Sequence, residues 1–239
     1  GSRQNVPKPR FRLTAHWTKS DAHGKEVMEI TWYGQACFRL RSRGLSVVTD
    51  PYSPEIGLKL PRLTATVVTV SHQHSDHNYV EAIKGSPFII AGPGEYEIEG
   101  IFVIGVSTYH DARQGQEHGR NTAYLIEFED LTICHLGDLG HVLTQEQVEQ
   151  FDNVDILLVP VGGRIALTGT RAAEVVGLLE PKIVIPMHYK VPGVTMPLES
   201  EGRFLKEMAI EAPTKLESLT ITKSQLPEET RIVLLEPKQ

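Results

Sequence analysis

The sequence predicts an α/β protein made of two similar halves, in which two packed β-sheets are covered by helices on both outer faces as a four-layer αββα sandwich. Three observations support this prediction. Short strand-like runs bounded by turn residues begin near residue 29, and helix-like segments alternate with buried strands after residue 144. One hairpin pattern also occurs twice, each time ending near an aspartate.

The first half is predicted to be a series of short strands. Runs rich in β-branched and aromatic residues are separated by turn residues, and Ser42-Arg43-Gly44 forms the first hairpin turn. The run at 64–70 is almost continuously apolar, which is typical of a strand that is buried on both faces. The predicted strands are 30–32, 37–40, 45–49, 64–70, 88–90 and 101–106.

The second half repeats the plan of the first. Segment 123–138 has the same hairpin pattern as segment 37–50, and two further buried strands follow at 154–160 and 182–186. A helix is expected to start at Thr144, where Thr-Gln-Glu-Gln forms a capping box. A second helix is predicted from near Thr170 to Pro181, and a third over 198–208.

Composition and length favour one globular domain at 28–239, preceded by an extension at 1–27 that begins with a Gly-Ser cloning remnant. Of the 239 residues, 40% are apolar and 23% are charged, as in ordinary globular proteins. Alternating apolar residues at 11–17 leave open whether the extension adds a strand or is loose. Cys37 and Cys134 lie in strand-like runs and are expected to be buried thiols.

Net charge and hydropathy limit the partners. A formal charge of −6 argues against nucleic-acid binding, which usually needs a basic surface. The sequence has neither the roughly 18 to 20 consecutive apolar residues that cross a bilayer nor a recognisable export signal, so we expect a cytoplasmic protein without a membrane partner. Homo-oligomerisation is left open.

The segment after strand 64–70 contains three histidines and an aspartate, His72, His74, Asp76 and His77. Because alternate residues of an extended turn point to the same side, His72 and His74 are suited to bind one ion together. Asp76 and His77 are expected to begin a helix running towards Ile83, and so to serve a neighbouring ion. Imidazole and carboxylate ligands suit zinc, manganese or iron, so a metal site is preferred over a polar, helix-capping loop.

Further ligands are expected where other strands end, because four ligands are too few for two ions. His110, Asp138 and His188 each follow a predicted strand. The ends of strands meet at one edge of a sheet, so residues that are distant in sequence can share one site there. His135 and His141 flank Asp138 and are expected to support the site rather than to bind metal.

The motif order resembles the metallo-β-lactamase fold superfamily over about residues 28–239. Segments 32–36, 135–141 and 186–189 are similar to small bacterial Zn-dependent hydrolases related to ascorbate-6-phosphate lactonase. The resemblance implies the αββα fold and two divalent ions, with Zn²⁺ expected and Mn²⁺ or Fe²⁺ as alternatives. It implies that His72, His74 and His110 bind the first ion, that Asp76, His77 and His188 bind the second, and that Asp138 bridges them.

The implied activity is hydrolysis of an ester, lactone, amide or phosphodiester. Two divalent ions roughly 3.5 to 4 Å apart share a water and lower its pKa to near 7, giving a hydroxide nucleophile. Asp76 and Asp138 are the predicted catalytic residues, because they would orient that hydroxide. Gln35 stands where this subgroup commonly has histidine, which puts its contact with substrate in doubt.

The substrate is expected to be a small molecule. Specificity should come from loop 111–120, a candidate lid, and from the loop after His188. Four residues are suited to meet an anionic substrate, although solvated loop groups are an equally good interpretation: Arg120, Asn121, Arg164 and Lys190. Two other functions remain open: a diiron oxidoreductase, whose relatives typically have Glu at the position of His74, and a non-catalytic metal-binding protein.

Overall fold

The computed structural model describes residues 27–213 and 215–239, so the predicted extension lies outside the described residues except for Val27. The first half contains β1 (Met28–Trp32), β2 (Phe38–Ser42), β3 (Leu45–Thr49), β4 (Leu63–Thr64), β5 (Val67–Thr69), β6 (Ile83–Lys84) and β7 (Phe88–Ile90). The second contains β8 (Gly94–Ile98), β9 (Ile101–Tyr109), β10 (Arg120–Phe128), β11 (Leu131–His135), β12 (Ile156–Pro160) and β13 (Ile183–Met187). Four short strands follow: β14 (Lys215–Leu216), β15 (Leu219–Ile221), β16 (Arg231–Ile232) and β17 (Leu234–Leu235).

These strands form two large sheets. The first has six strands in the order β15-β1-β2-β3-β5-β7, and the second has seven in the order β16-β13-β12-β11-β10-β9-β8. Strands β4 and β6 form a separate pair, as do β14 and β17. Every residue of β12 and β13 is buried, as expected for inner parallel strands that are covered on both faces.

The predicted internal repeat is present in the strand topology. In the first sheet β1, β2 and β3 are antiparallel neighbours, and β5 and β7 then add in parallel. In the second sheet β9, β10 and β11 are antiparallel neighbours, and β12 and β13 add in parallel. Strands β1, β3 and β5 therefore point one way in the first sheet, and β9, β11 and β13 share one direction in the second.

The two large sheets are joined by buried side chains and by one bridging tyrosine. Tyr124 of β10 donates its hydroxyl to the carbonyl of Val70, which follows β5 in the other sheet, at 2.7 Å. The same hydroxyl accepts a hydrogen bond from the backbone N–H of Gly92 at 3.0 Å. Cys37 and Cys134 are free and buried within this core, as predicted.

Three α-helices occur in the described residues, and all of them follow Asp138: α1 (Gln145–Gln150), α2 (Gly169–Leu179) and α3 (Gly202–Glu207). The capping box at Thr144 is present, with Gln147 as its partner. Helix α2 is capped by Thr168, two residues before the predicted start. Helix α3 is shorter than predicted. In the part of the chain that the structure describes, no helix is long and apolar enough to span a bilayer.

The helix predicted to begin at Asp76 is wrong. The N–H groups of His77 and Asn78 both bond to the carbonyl of His74, which closes a single turn. The next N–H, from Tyr79, bonds instead to the carbonyl of Pro51 at 2.8 Å, and only a 3₁₀ turn at Val80–Ala82 follows. This tertiary hydrogen bond takes a donor that an α-helix would need, so the helix does not continue.

Candidate metal centre

The predicted site residues gather at one edge of the two sheets, where strands of the same direction end. The His72–His77 segment follows β5, and three further residues lie at the ends of β9, β11 and β13. The structure brings all seven predicted ligands together in two adjoining groups. The first group is His72, His74 and His110, and the second is Asp76, His77, Asp138 and His188.

The first group presents three imidazole nitrogens towards a common point. Nε2 of His72 lies 3.0 Å from Nδ1 of His74, and the ligand atoms of the group lie within 4.8 Å of one another. Nδ1 of His110 donates to the carbonyl of Ile165 at 3.0 Å, which turns its Nε2 inward. His72 and His110 are buried, whereas His74 is exposed. The group is therefore accessible from the His74 side.

The second group is buried and mixes two imidazoles with two carboxylates. Nε2 of His77 lies 3.2 Å from Oδ2 of Asp76 and 3.3 Å from Oδ2 of Asp138. Nε2 of His188 lies 3.6 Å from Oδ2 of Asp76. His188 has a φ of +51°, an uncommon conformation that holds its ring at the end of β13.

Asp138 lies between the two groups. Its Oδ2 is 3.3 Å from Nε2 of His110 in the first group, and its Oδ1 is 3.3 Å from Nε2 of His188 in the second. The N–H of Asp138 donates to Oδ1 of Asn121 at 3.0 Å. Gly137 makes this approach feasible, because a Cβ there would lie 2.5 Å from both Asn121 and Ser71. Asp138 thus contacts residues of both groups.

The residues present fit divalent cations. Two ligand atoms bound tetrahedrally at about 2.0 to 2.1 Å are roughly 3.3 to 3.4 Å apart, close to the separations of 3.2 to 3.6 Å found here. Several buried atoms also lack a hydrogen-bond partner among the described residues, although such atoms are normally satisfied. These include Nε2 of His77, Nε2 of His110 and both carboxylate oxygens of Asp138.

The electrostatics keep both carboxylates ionised. Burial raises the pKa of Asp138, but the surrounding His188 and His77 rings outweigh it, and the net pKa is well below the ordinary value. The pKa of Asp76 is also lowered, because His77 and His188 outweigh its burial. Burial lowers the pKa of His72 to about 3, so that this ring is a neutral, ligand-ready imidazole at neutral pH.

Asp50 supports the second group and was not among the predicted site residues. Its Oδ2 lies 2.8 Å from Nδ1 of His77 and accepts the hydroxyl of Ser71 at 2.6 Å. Because the Ser71 hydroxyl is used as a donor here, it accepts from Nδ1 of His72 at 2.9 Å. Both rings therefore carry hydrogen on Nδ1, which leaves Nε2 as the atom that each ring offers to a metal ion. The sequence signal for Asp50 was its correspondence with Asp138 in the repeated hairpin.

The two histidines that flank Asp138 lie outside both groups. Nε2 of His135 donates to the carbonyl of Ala36 at 2.8 Å, and Nε2 of His141 accepts the N–H of Tyr109 at 3.2 Å. Each therefore fixes backbone next to the site. Neither belongs to a group of candidate ligands among the described residues.

Gln35 lies against the second group despite its departure from the common pattern. Its Nε2 lies 3.4 Å from Oδ2 of Asp76, 3.5 Å from Nε2 of His188 and 3.0 Å from Sδ of Met196. The residue is fully buried, and its backbone carbonyl accepts hydrogen bonds from the indole N–H of Trp32 and from the backbone N–H of His188. Gln35 thus contacts two candidate ligands of the second ion.

Loop 111–119, the predicted lid, is folded around a single carboxylate. Asp111 accepts hydrogen bonds from four backbone N–H groups of the loop, at 2.7 to 3.0 Å. The N–H of His110 closes the loop by donating to the carbonyl of Gly119 at 3.1 Å. The exposed His118 is thereby held with its ring centre 5.7 Å from that of His110.

Comparison with known proteins identifies the family of this chain. The family described as beta-lactamase superfamily domain matches residues 29–188. A metal-dependent hydrolase of Methanopyrus kandleri is 26% identical, covering 75% of this chain and 90% of its own length. A metal-dependent hydrolase of Thermoplasma acidophilum is 30% identical, covering 69% and 84%. A Thermotoga maritima structure, classed with Zn-dependent hydrolases of the metallo-beta-lactamase superfamily, is 38% identical, with a TM-score of 0.71 and coverage of 87% and 98%.

Proposed function

Since this chain belongs to the beta-lactamase superfamily domain family, within the metallo-β-lactamase superfamily, we propose that it is a hydrolase that activates water with two divalent metal ions. The superfamily and fold predicted from the motifs are confirmed. The names of the relatives support metal-dependent hydrolysis. The closer likeness to ascorbate-6-phosphate lactonase stays a prediction.

The position of Asp138 is the observation that carries the proposal. One carboxylate within 3.3 Å of imidazoles from both groups is suited to hold two cations side by side. The first group offers three histidines, His72, His74 and His110, and shares Asp138 with the second group. Structural zinc sites are closed, whereas catalytic sites keep an open position for water or substrate. His74 is exposed, so the first group is open on one side, which favours catalysis over a structural role.

When bound, two divalent cations lower the pKa of a water molecule and polarise the substrate oxygen that is attacked. The residues of this chain orient the reactants. Asp76 and Asp138 are ionised, so each is able to accept a hydrogen bond from the attacking water and hold its lone pair towards the substrate. The buried second group limits bulk water, while exposed His74 marks the side from which substrate enters.

The proposed reaction class is hydrolysis of an ester, lactone, amide or phosphodiester in a small molecule, with Zn²⁺ as the expected metal and Mn²⁺ or Fe²⁺ as alternatives. Each reaction needs a hydroxide nucleophile and stabilisation of a developing negative charge on oxygen. The arrangement of Asp138 and the histidines serves both requirements. A Ser or Cys nucleophile is not needed.

The test is a panel of phosphodiester, lactone and thioester substrates, assayed with zinc and with manganese on wild type and His74→Ala. His74 is exposed, so its replacement should leave the fold intact while it removes one of three ligands from the first group. We expect a loss of at least about 100-fold in kcat/KM. His141→Ala is the matched control, since His141 lies outside both groups. Equal activity of wild type and His74→Ala would refute the proposal.

Metal analysis and an oxygen-consumption assay distinguish the proposed hydrolase from the alternative, a diiron oxidoreductase. Protein purified without added metal should contain zinc, or manganese, and should not consume oxygen with a reductant present. Iron-dependent oxygen uptake by wild type that is lost in His74→Ala would favour the oxidoreductase instead.

A further inference from the structure

A cleft of about 350 Å³ opens beside the first group of candidate ligands. His72 and His74 form part of its wall, so a molecule in the cleft lies next to the three-histidine group. His118 lines it from the loop that follows His110, and Arg120 lines it from the start of β10. The remaining lining is uncharged: Val70, Ser71, Gln73, Ala91, Gly92, Pro93 and Thr122.

The charge of this cleft is opposite to that of the protein. The chain has 30 acidic and 24 basic residues, yet no aspartate or glutamate lines the cleft. Its permanently charged side chain is Arg120, and its histidines offer ring nitrogens to a ligand. A cavity whose fixed charge has one sign concentrates ligands of the opposite sign.

The backbone that carries His118 and Arg120 is held in position. The four N–H bonds to Asp111 fix the loop that carries His118. Arg120 begins β10, where it pairs with Tyr109 of β9. A guanidinium on a fixed strand is suited to bind a planar carboxylate or a phosphate with two parallel hydrogen bonds.

The other residues considered for an anionic substrate are less suitable. Asn121 is buried and uses its side chain to bond Thr108, Leu136 and the N–H of Asp138. The ammonium of Lys190 bonds the carbonyls of Val194 and Met196. Neither residue lines the cleft, and Arg164 does not line it either.

We propose that this cleft binds an anionic oxygen group of the substrate, a carboxylate or a phosphate, through Arg120 and His118, while the scissile bond lies at the metal centre. This inference rests on the proposed hydrolytic function and names the substrate class. It makes Arg120 and His118 specificity-determining residues.

The test compares three acids of similar length as ligands of the zinc-loaded protein: butyrate, glutarate and 4-phosphonobutyrate. Each has one carboxylate for the metal centre, and only the last two carry a second anionic group. Calorimetry should show about tenfold tighter binding of one or both dianions than of butyrate by wild type, since a charged hydrogen bond is gained. A preference for glutarate indicates a carboxylate substrate, and one for the phosphonate indicates a phosphate.

The variants assign the preference to the cleft. Arg120→Gln should bind the dianion only as tightly as butyrate, and His118→Gln should reduce the preference severalfold. Arg113→Gln is the control, because Arg113 is on the same loop, has a 72% exposed side chain paired with Glu117, and does not line the cleft. It should keep the full preference.

Equal binding of the three acids by wild type, no binding of any of them, or an unchanged preference in Arg120→Gln would overturn the inference. These outcomes are distinct from failure of the proposed function. Hydrolysis of the substrate panel that depends on His74, without a preference for dianions, rejects the anion site alone. A dianion preference without any hydrolysis rejects the catalytic proposal alone.

Discussion

Oδ2 of Asp50 lies 2.8 Å from Nδ1 of His77, and both side chains are completely buried. The carboxylate therefore fixes which nitrogen of His77 carries hydrogen and aims Nε2 at Asp76 and Asp138. Burial raises the pKa of Asp50, but His77, His135 and Ser71 lower it further, so the group is ionised. A carboxylate behind a metal-binding histidine orients the ring and increases its basicity.

Asp50→Asn should weaken metal binding at the second group by about 10 to 100-fold, because one amide oxygen cannot replace both carboxylate oxygens: Oδ2 accepts from His77 and the Ser71 hydroxyl, and Oδ1 accepts from the N–H of Ser71. Competition with a fluorescent zinc chelator measures this change. Asp155→Asn is the control. Asp155 is also buried and pairs with Lys223, but it lies just before β12, at the end of that strand away from the metal centre. That variant should lose stability and retain zinc affinity. Unchanged zinc affinity in Asp50→Asn would contradict the assigned role.

Gln35 should also affect the second ion. Its amide nitrogen lies 3.4 Å from Oδ2 of Asp76 and 3.5 Å from Nε2 of His188, so it links that carboxylate to the His188 ring. Gln35→Met preserves volume and removes the donor. We expect roughly tenfold weaker binding of the second zinc, the lower end of the roughly 1.5 to 3 kcal/mol of a hydrogen bond to a charged group, because this bond is long at 3.4 Å.

Zinc-to-protein stoichiometry, measured at a series of buffered free-zinc concentrations, tests this expectation. As free zinc is lowered, the ratio should fall from two towards one ion per chain at a higher free-zinc concentration in Gln35→Met than in wild type. Gln73→Met is the control, because Gln73 is exposed and its side chain bonds only Asn78. Identical titrations for Gln35→Met and wild type would exclude a role for Gln35 in holding the ion.

The sequence allowed prediction of the candidate ligands because each follows a strand that hydrophobic patterning reveals. His110, Asp138 and His188 are distant in the chain, but β9, β11 and β13 share one direction, so their ends meet. The internal repeat was visible for the same reason. Strand periodicity is a local property, and it survives the packing of the two sheets.

Features that depend on tertiary hydrogen bonds could not be predicted. The helix expected after His77 is absent because the carbonyl of Pro51 takes the N–H of Tyr79. The loop after His110 contains glycines and charged residues, which suggested mobility. The carboxylate of Asp111 nevertheless accepts hydrogen bonds from four backbone N–H groups of this loop. The part played by Asp50 needed the positions of Ser71 and His77. No local pattern encodes these partners.

Asp111 should control the order of the loop that carries His118. Four backbone donors surround its carboxylate, and they lower its pKa to about 2 although desolvation raises it. Asp111→Asn removes the charge and one acceptor oxygen. We expect faster amide hydrogen exchange at Gly115, Glu117 and His118, with unchanged exchange in β12.

The pH dependence of this effect has a definite sign. A carboxyl group whose pKa is lower in the folded than in the unfolded state stabilises the fold above its unfolded pKa. The stabilisation is then lost as pH falls from about 4 to about 2. The difference in loop protection between wild type and Asp111→Asn should therefore be full at pH 6 and shrink at acid pH. A difference that grows on acidification would contradict the role of the ionised carboxylate.

Metal removal should destabilise the whole protein. Without a cation, the facing nitrogens and the oxygens of Asp138 lie buried without hydrogen-bond partners among the described residues. A ligand that binds only the folded state stabilises it by about 2.7 kcal/mol at a concentration of 100 times its Kd. For a chain of this length that corresponds to a shift in Tm of roughly 5 to 10 °C.

Differential scanning calorimetry of chelator-treated protein, titrated with zinc, measures the shift. His72→Ala should lose much of it, whereas His141→Ala should retain it, since His141 bonds only backbone. A Tm that is independent of zinc in wild type would show that these buried residues do not bind the metal.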